Sequence, residues 1–122
     1  MFAVISRPAR IFLVSFGLIA LAACGGASTQ PDSSPQPSAT VNTTNALQFT
    51  PTPVRLTVGG TVTFKFASIQ HTLFFDNAPP GAPANIPNLT SNTSVTRTFN
   101  TAGTFVFNCH IHPGMTGTVI VE

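Results

Sequence analysis

An all-β sandwich is the fold this 122-residue sequence predicts, and three observations carry that prediction. Apolar and polar residues alternate with period two through five separate runs beyond residue 45. The alternating residues are chiefly Thr, Val and Phe, types that suit a pleated, half-buried surface. Glycine, proline and asparagine separate the runs, and no stretch of this region has the 3.6-residue periodicity of an amphipathic helix.

The N-terminus stands apart from that pattern. "MFAVISRPAR" carries Arg7 and Arg10 without an acid, and the largely apolar run Ile11–Ala20 follows. A basic start and an apolar run too short to cross a bilayer as a helix describe a secretory signal, placed at residues 1–23. The "LAAC" at Leu21–Cys24 resembles the lipobox of bacterial lipoproteins. That resemblance implies that Cys24 carries lipid and begins the mature chain. Residues 24–45, rich in Ser, Thr, Pro, Gly and Gln, read as the lipidated cysteine and a flexible linker. Residues 46–122 are then the folded domain, close to the lower limit for a self-sufficient core.

Within that domain "PVRLTV" sets Val54, Leu56 and Val58 against Arg55 and Thr57. After Gly59–Gly60, "TVTFKF" sets Val62, Phe64 and Phe66 against Thr61, Thr63 and Lys65, so two strands with a glycine turn are expected. "SIQHTLFFD" places His71 at the head of an apolar strand. Asp76–Thr93 holds four prolines and little alternation, and is expected to be a long irregular connection. "SVTRTF", "TFVFNC" and "TGTVIVE" resume the alternation, with Phe105, Phe107 and Cys109 on one side. About seven strands are expected in all, with Phe64, Phe66, Phe105 and Phe107 in the core.

Charge excludes one class of function. Beyond residue 23, Arg55, Lys65 and Arg97 balance Asp32, Asp76 and Glu122, so the formal charge of +2 belongs to the signal. Nothing remains to neutralise a row of phosphates, and nucleic acid is not an expected partner. If Cys24 carries lipid, Cys109 is an unpaired thiol in an exported protein, which metal ligation would keep occupied.

The chemistry is concentrated in "FNCHIHPGM", Phe107–Met115. Cys109, His112 and Met115 stand in C-x2-H-x2-M spacing, too tight for a helix face but suited to a loop around one ion. Thiolate, imidazole and thioether are soft to borderline donors that suit copper or zinc rather than magnesium or calcium. His71 is the histidine that lies outside the loop and can complete the set. Two histidines, a cysteine and a methionine describe a mononuclear electron-transfer copper site, and the thioether argues against structural zinc.

"TAGTFVFNCHIHPGMTGTVIVE" is similar to the end of the cupredoxin family of plastocyanin, amicyanin and auracyanin. "FTPTPVRLTVGGTVTFKFASIQHTLFFD" resembles the early strands that lead to that family's first histidine ligand. The resemblance implies a Greek-key β-sandwich with one Cu(I)/Cu(II) ion at one end. It implies His71, Cys109 and His112 as equatorial ligands and Met115 as the weak axial one. It also implies one-electron transfer rather than enzymatic turnover. Thr72 stands where many plastocyanins have Asn, shortening the side chain that ties the two ligand segments together, and Asn108 stands where Tyr is common. The acidic docking patch of plastocyanins is missing, so redox protein partners are expected to dock on the neutral face around His112. A monomer at the extracytoplasmic face of a bacterial membrane, or in the periplasm, is the organisation expected. The membrane contact is the lipid on Cys24.

Other readings of the cluster are weaker. A catalytic Cys–His pair needs a group that orients the base, and Asp76 and Glu122 are the acids the domain offers. A copper-delivery protein without redox cycling is the alternative function, but methionine-rich or histidine-rich tracts are missing. The Pro79, Pro80, Ala82, Pro83 and Pro113 side chains are expected to form an apolar rim at the metal end. His110 receives no role beyond pointing away from the metal. Ile111 precedes the second histidine where several family members have proline, leaving an N–H free to bond the Cys109 sulfur. Such a bond would favour Cu(I), so Ile111→Pro is expected to lower the reduction potential, measured by voltammetry.

Overall fold

Strand β3, Val54–Phe66, is the longest in the domain. The sequence predicts two strands here, but the structure shows one, bent at Gly59–Gly60. Gly59 has φ of 83°, which glycine adopts without steric cost. At Gly60 an added Cβ would lie 2.8 Å from the Thr57 carbonyl oxygen. The bend lets the two halves serve different neighbours. Val54–Leu56 pairs in parallel with β8 (Thr116–Val121), whereas Gly60–Phe66 pairs antiparallel with β6 (Thr93–Phe99). The inward positions stay even-numbered on both sides of this bend, but Val58 beside it is 52% exposed instead of inward.

This computed structural model describes residues 33–122, so the expectations for the signal, for Cys24 and for the first part of the linker lie outside it. Eight strands make up the described chain, and none of its elements is a helix. The linker boundary at residue 45 needs correction, because Gln36–Thr43 is strand β1. It pairs in parallel with β3 from Ser38 to Asn42, and antiparallel with the two-residue β2 (Phe49–Thr50). Its composition looks like linker because only Val41 and Thr43 point fully inward. Backbone pairing on both sides, and the Thr43 hydroxyl accepting the Ala67 N–H at 3.0 Å, do the rest.

One layer of the sandwich is therefore β2-β1-β3-β6. The other runs from the start of β3 through β8 to β7 (Gly103–Asn108), which Phe74 bridges next to β4 (His71–Leu73). β4 in turn pairs with β5 (Ile86–Thr90), so the connection predicted as irregular contains a strand. The rest of that connection is pinned by polar contacts. Arg97 donates to the Ala84 and Asn85 carbonyls at 2.7 and 3.0 Å, and the Phe75 N–H bonds Asn85 Oδ1 at 2.9 Å. Gly81 approaches Thr101, and Gly103 approaches Pro79. Pro79 thus lies at the start of β7, opposite the Cys109 end, and is no part of a rim around the metal loop.

Alternation along β7 turns Phe105 and Phe107 inward and leaves Val106 at the surface. Phe107 is the hub of the core, edge-to-face with Phe49, Phe64 and Phe75 at centroid distances of 4.9, 5.3 and 6.0 Å. Its cross-strand partner on β8 is Gly117, and the ring lies over that glycine. A Cβ at 117 would sit 2.3 Å from Phe107 Cζ, and the surrounding rings leave Phe107 nowhere to go. Gly117→Ala should therefore destabilise the domain by about 1–3 kcal/mol in urea unfolding, a cost typical of overpacking.

Candidate metal centre

Cys109 continues the inward series of β7, while β8 begins at Thr116, so Cys109–Met115 is the loop of a β-hairpin. The Cys109 N–H bonds the Met115 carbonyl at 3.0 Å and closes the loop at its base. Inside it the Met115 N–H bonds the His112 carbonyl at 3.1 Å. Pro113 and Gly114 fill the middle of that turn, Gly114 with φ of 83°, the arrangement of a type II turn. The turn returns Met115 to the interior, where it is 3% exposed.

The second segment comes from across the domain. His71 is wholly buried at the start of β4 and lies near Phe66. Its Nδ1 is 3.1 Å from His112 Nδ1 and 4.0 Å from Cys109 Sγ, and His112 Nδ1 is 3.5 Å from the same sulfur. A single proton satisfies one pair of these donors, whereas one cation satisfies all three. Metal bonds of about 2.0–2.3 Å to imidazole and thiolate fit donors this far apart. Burial first, and the neighbouring His112 second, hold the His71 pKa below its ordinary value. The ring therefore stays neutral and keeps a lone pair for a metal. The residues present fit copper, and His71, Cys109, His112 and Met115 are those that would hold it.

The sulfur has one well-placed neighbour. The Thr72 N–H points at Cys109 Sγ from 3.4 Å, and Thr72 Oγ1 is 3.8 Å away. The same hydroxyl accepts the His110 N–H at 3.0 Å, so Thr72 ties the two ligand segments together despite its short side chain. Ile111 corrects a sequence expectation. Among the described residues its N–H makes no hydrogen bond to the sulfur, and its side chain is 44% exposed. The predicted effect of Ile111→Pro on the potential thus loses its structural basis. Asn108 holds the loop from below, exchanging backbone hydrogen bonds with Phe74 at 2.9 and 3.0 Å.

His110 and Asp76 form a contact that the sequence reading missed. His110 Nε2 lies 2.6 Å from Asp76 Oδ2, and the His110 ring stacks on Phe74 with centroids 3.7 Å apart and planes within 4°. The hydrogen bond from His110 is the main reason the Asp76 carboxyl is held below its ordinary pKa. A carboxylate orienting a histidine does exist, therefore, but it serves His110. The Cys109 sulfur faces Thr72, His71 and His112 instead, and among the described residues neither of those two histidines has a carboxylate to orient it as a base. Thr72, Phe74 and Asp76 alternate in the sequence, which was the available clue that one edge of this segment meets one object.

Solved structures resemble this fold. A reduced Cu(I) amicyanin variant at pH 4 is similar with a TM-score of 0.58 and 27% identity, over 74% of this chain and 87% of that one. A second reduced amicyanin variant is similar with a TM-score of 0.60 and 26% identity, over 70% of this chain and 82% of that one. The copper-containing nitrite reductase NirK from Thermus scotoductus SA-01 is similar with a TM-score of 0.61 and 25% identity. There the match covers 70% of this chain but only 22% of the reductase. No curated protein sequence matches the chain. Residues 36–122 match the family described as copper binding proteins, plastocyanin/azurin family. Two imidazoles and a thiolate with ligand atoms within 4.8 Å of one another, in a β-sandwich matched over that whole span, place the chain in the plastocyanin/azurin family of copper-binding proteins.

Proposed function

We propose that this protein is a one-electron carrier with a single type 1 copper site, tethered by lipid to the extracytoplasmic face of a bacterial membrane. The observation that carries the electron-transfer reading is the convergence of His71 Nδ1, His112 Nδ1 and Cys109 Sγ within 4.0 Å. Copper, when bound, supplies reversible exchange between Cu(II) and Cu(I).

The protein's own residues supply the rest. Cys109 and the imidazoles form a compact soft-to-borderline donor set, and Met115 would add a weak thioether donor. Thr72 directs its N–H at the sulfur, drawing off part of the thiolate charge and favouring the lower oxidation state. His71, Cys109 and Met115 are buried, which keeps water from them, while His112 is only half-buried. That makes His112 the route to the surface, between exposed Ile111 and Pro113. Neither neighbour is charged, so redox proteins that dock there meet a neutral, apolar surface.

The tether rests on the sequence around Cys24. Because β1 begins at Gln36, the connection from Cys24 is only about eleven residues, a reach of at most about 40 Å. A short tether raises the effective concentration of the domain near membrane-bound partners. Gly25 lacks the acidic character that retains many lipoproteins at an inner membrane, which favours the outer one in a two-membrane cell. The domain acts as a monomer in this reading.

Added Cu(II) should give an intense visible charge-transfer band that bleaches on reduction and returns on reoxidation. Cys109→Ser should abolish the band. Copper bound without the band, or without reversible bleaching, would favour delivery over electron transfer. Met115→Leu should keep the band and raise the potential, because a thioether that would help stabilise Cu(II) is lost. In cells, Cys24→Ala should move the protein from the membrane fraction to the soluble one.

A further inference from the structure

We propose that His110 is a positioning residue, a latch that holds the Cys109–Met115 loop against the segment carrying His71 before any metal arrives. The two ligand segments are 38 residues apart in the chain, measured from His71 to Cys109. Their relative placement must therefore come from contacts between them. His112 and His71 meet through the nitrogens that the metal itself would occupy, so they cannot hold the empty site open as well. His110 stands outside the metal cluster and makes three contacts with the other segment. Its backbone N–H bonds Thr72 Oγ1 at 3.0 Å, its ring stacks on Phe74 at 3.7 Å, and its Nε2 bonds Asp76 at 2.6 Å.

These partners sit at alternate positions, so one edge of the segment grips one residue, Thr72 holding its backbone N–H and Phe74 and Asp76 its ring. Among the described residues, the other loop side chains with a hydrogen-bond or ring partner outside the loop are the ligands themselves, Cys109 with Thr72 and His71, and His112 with His71. A loop that is ordered in advance loses little conformational entropy on binding an ion, and its donors move little when the ion changes charge. A surface decoration would not need to be stacked and hydrogen-bonded together. His110 touches neither the ion nor a reacting atom, and acts by placing Cys109 and His112.

The inference rests on the copper reading, but half of its test needs no metal. Hydrogen exchange of the Cys109, His110 and Met115 amides is measured in the metal-free protein. Cu(II) affinity is measured separately by chelator competition. His110→Ala should speed exchange at these amides about tenfold, leave the amides of β3 unchanged, and weaken Cu(II) binding about tenfold, as loss of a group supporting the ligands typically does. His110→Phe, which keeps the stack and loses the bond to Asp76, should fall between the parent and His110→Ala. Exchange and affinity within twofold of the parent would overturn the proposal, as would equal acceleration throughout β3. If His110→Ala does not fold, Asp76→Asn and Phe74→Leu decide the question by the same two measurements and the same limits. A parent protein that binds no Cu(II) would refute the copper reading, while the exchange comparison would still decide the latch.

Discussion

Everything at the metal end depends on a ring lying over a glycine. Phe107 packs across β8 onto Gly117 and meets three other phenylalanines edge-on. That contact sets which face of β7 points inward. Because the side-chain period of a strand is two, it also decides where the sulfur two residues later points. A slip of one residue would send Cys109 to solvent and His110 to the interior. The core is thus the reference frame for the ligands, and the hairpin hydrogen bond between Cys109 and Met115 carries that register into the loop.

Few charges take part in this arrangement. Arg55 pairs with Glu122, Asp76 is taken up by His110, and Arg97 binds backbone carbonyls. Specificity comes instead from backbone donors and small hydroxyls. The Thr72 residue meets the sulfur through its N–H and the ligand loop through its side chain. One short residue thereby does the work for which a longer amide is common in the family, because the two segments lie close enough for Oγ1 to span them.

Much of this was legible in the sequence. Period-two alternation located the strands of the second half, and donor chemistry with spacing picked out four residues, three of which meet within 4.0 Å through their ligand atoms. What escaped the reading had physical reasons. Strand β1 buries little apolar surface, so hydropathy could not separate it from the linker. The Gly59–Gly60 pair has the composition of a turn, but parallel and antiparallel neighbours on either side of it keep the chain in one bent strand. Pro79 was expected at the metal end but packs by Gly103, because composition says nothing about direction. The bond expected from Ile111 depended on the fine geometry of a turn, and the partners of His110 depended on tertiary approach between distant segments.

The aromatic core has a further consequence for charge movement. All eleven aromatic residues of the chain are phenylalanine, and neither tryptophan nor tyrosine occurs. Benzyl side chains are far harder to oxidise than indoles or phenols, so the interior holds no stepping stone for a migrating hole. An oxidising equivalent at the metal cannot leak through the sandwich to its far end, and the β framework acts as an insulator around a contact exposed at one loop.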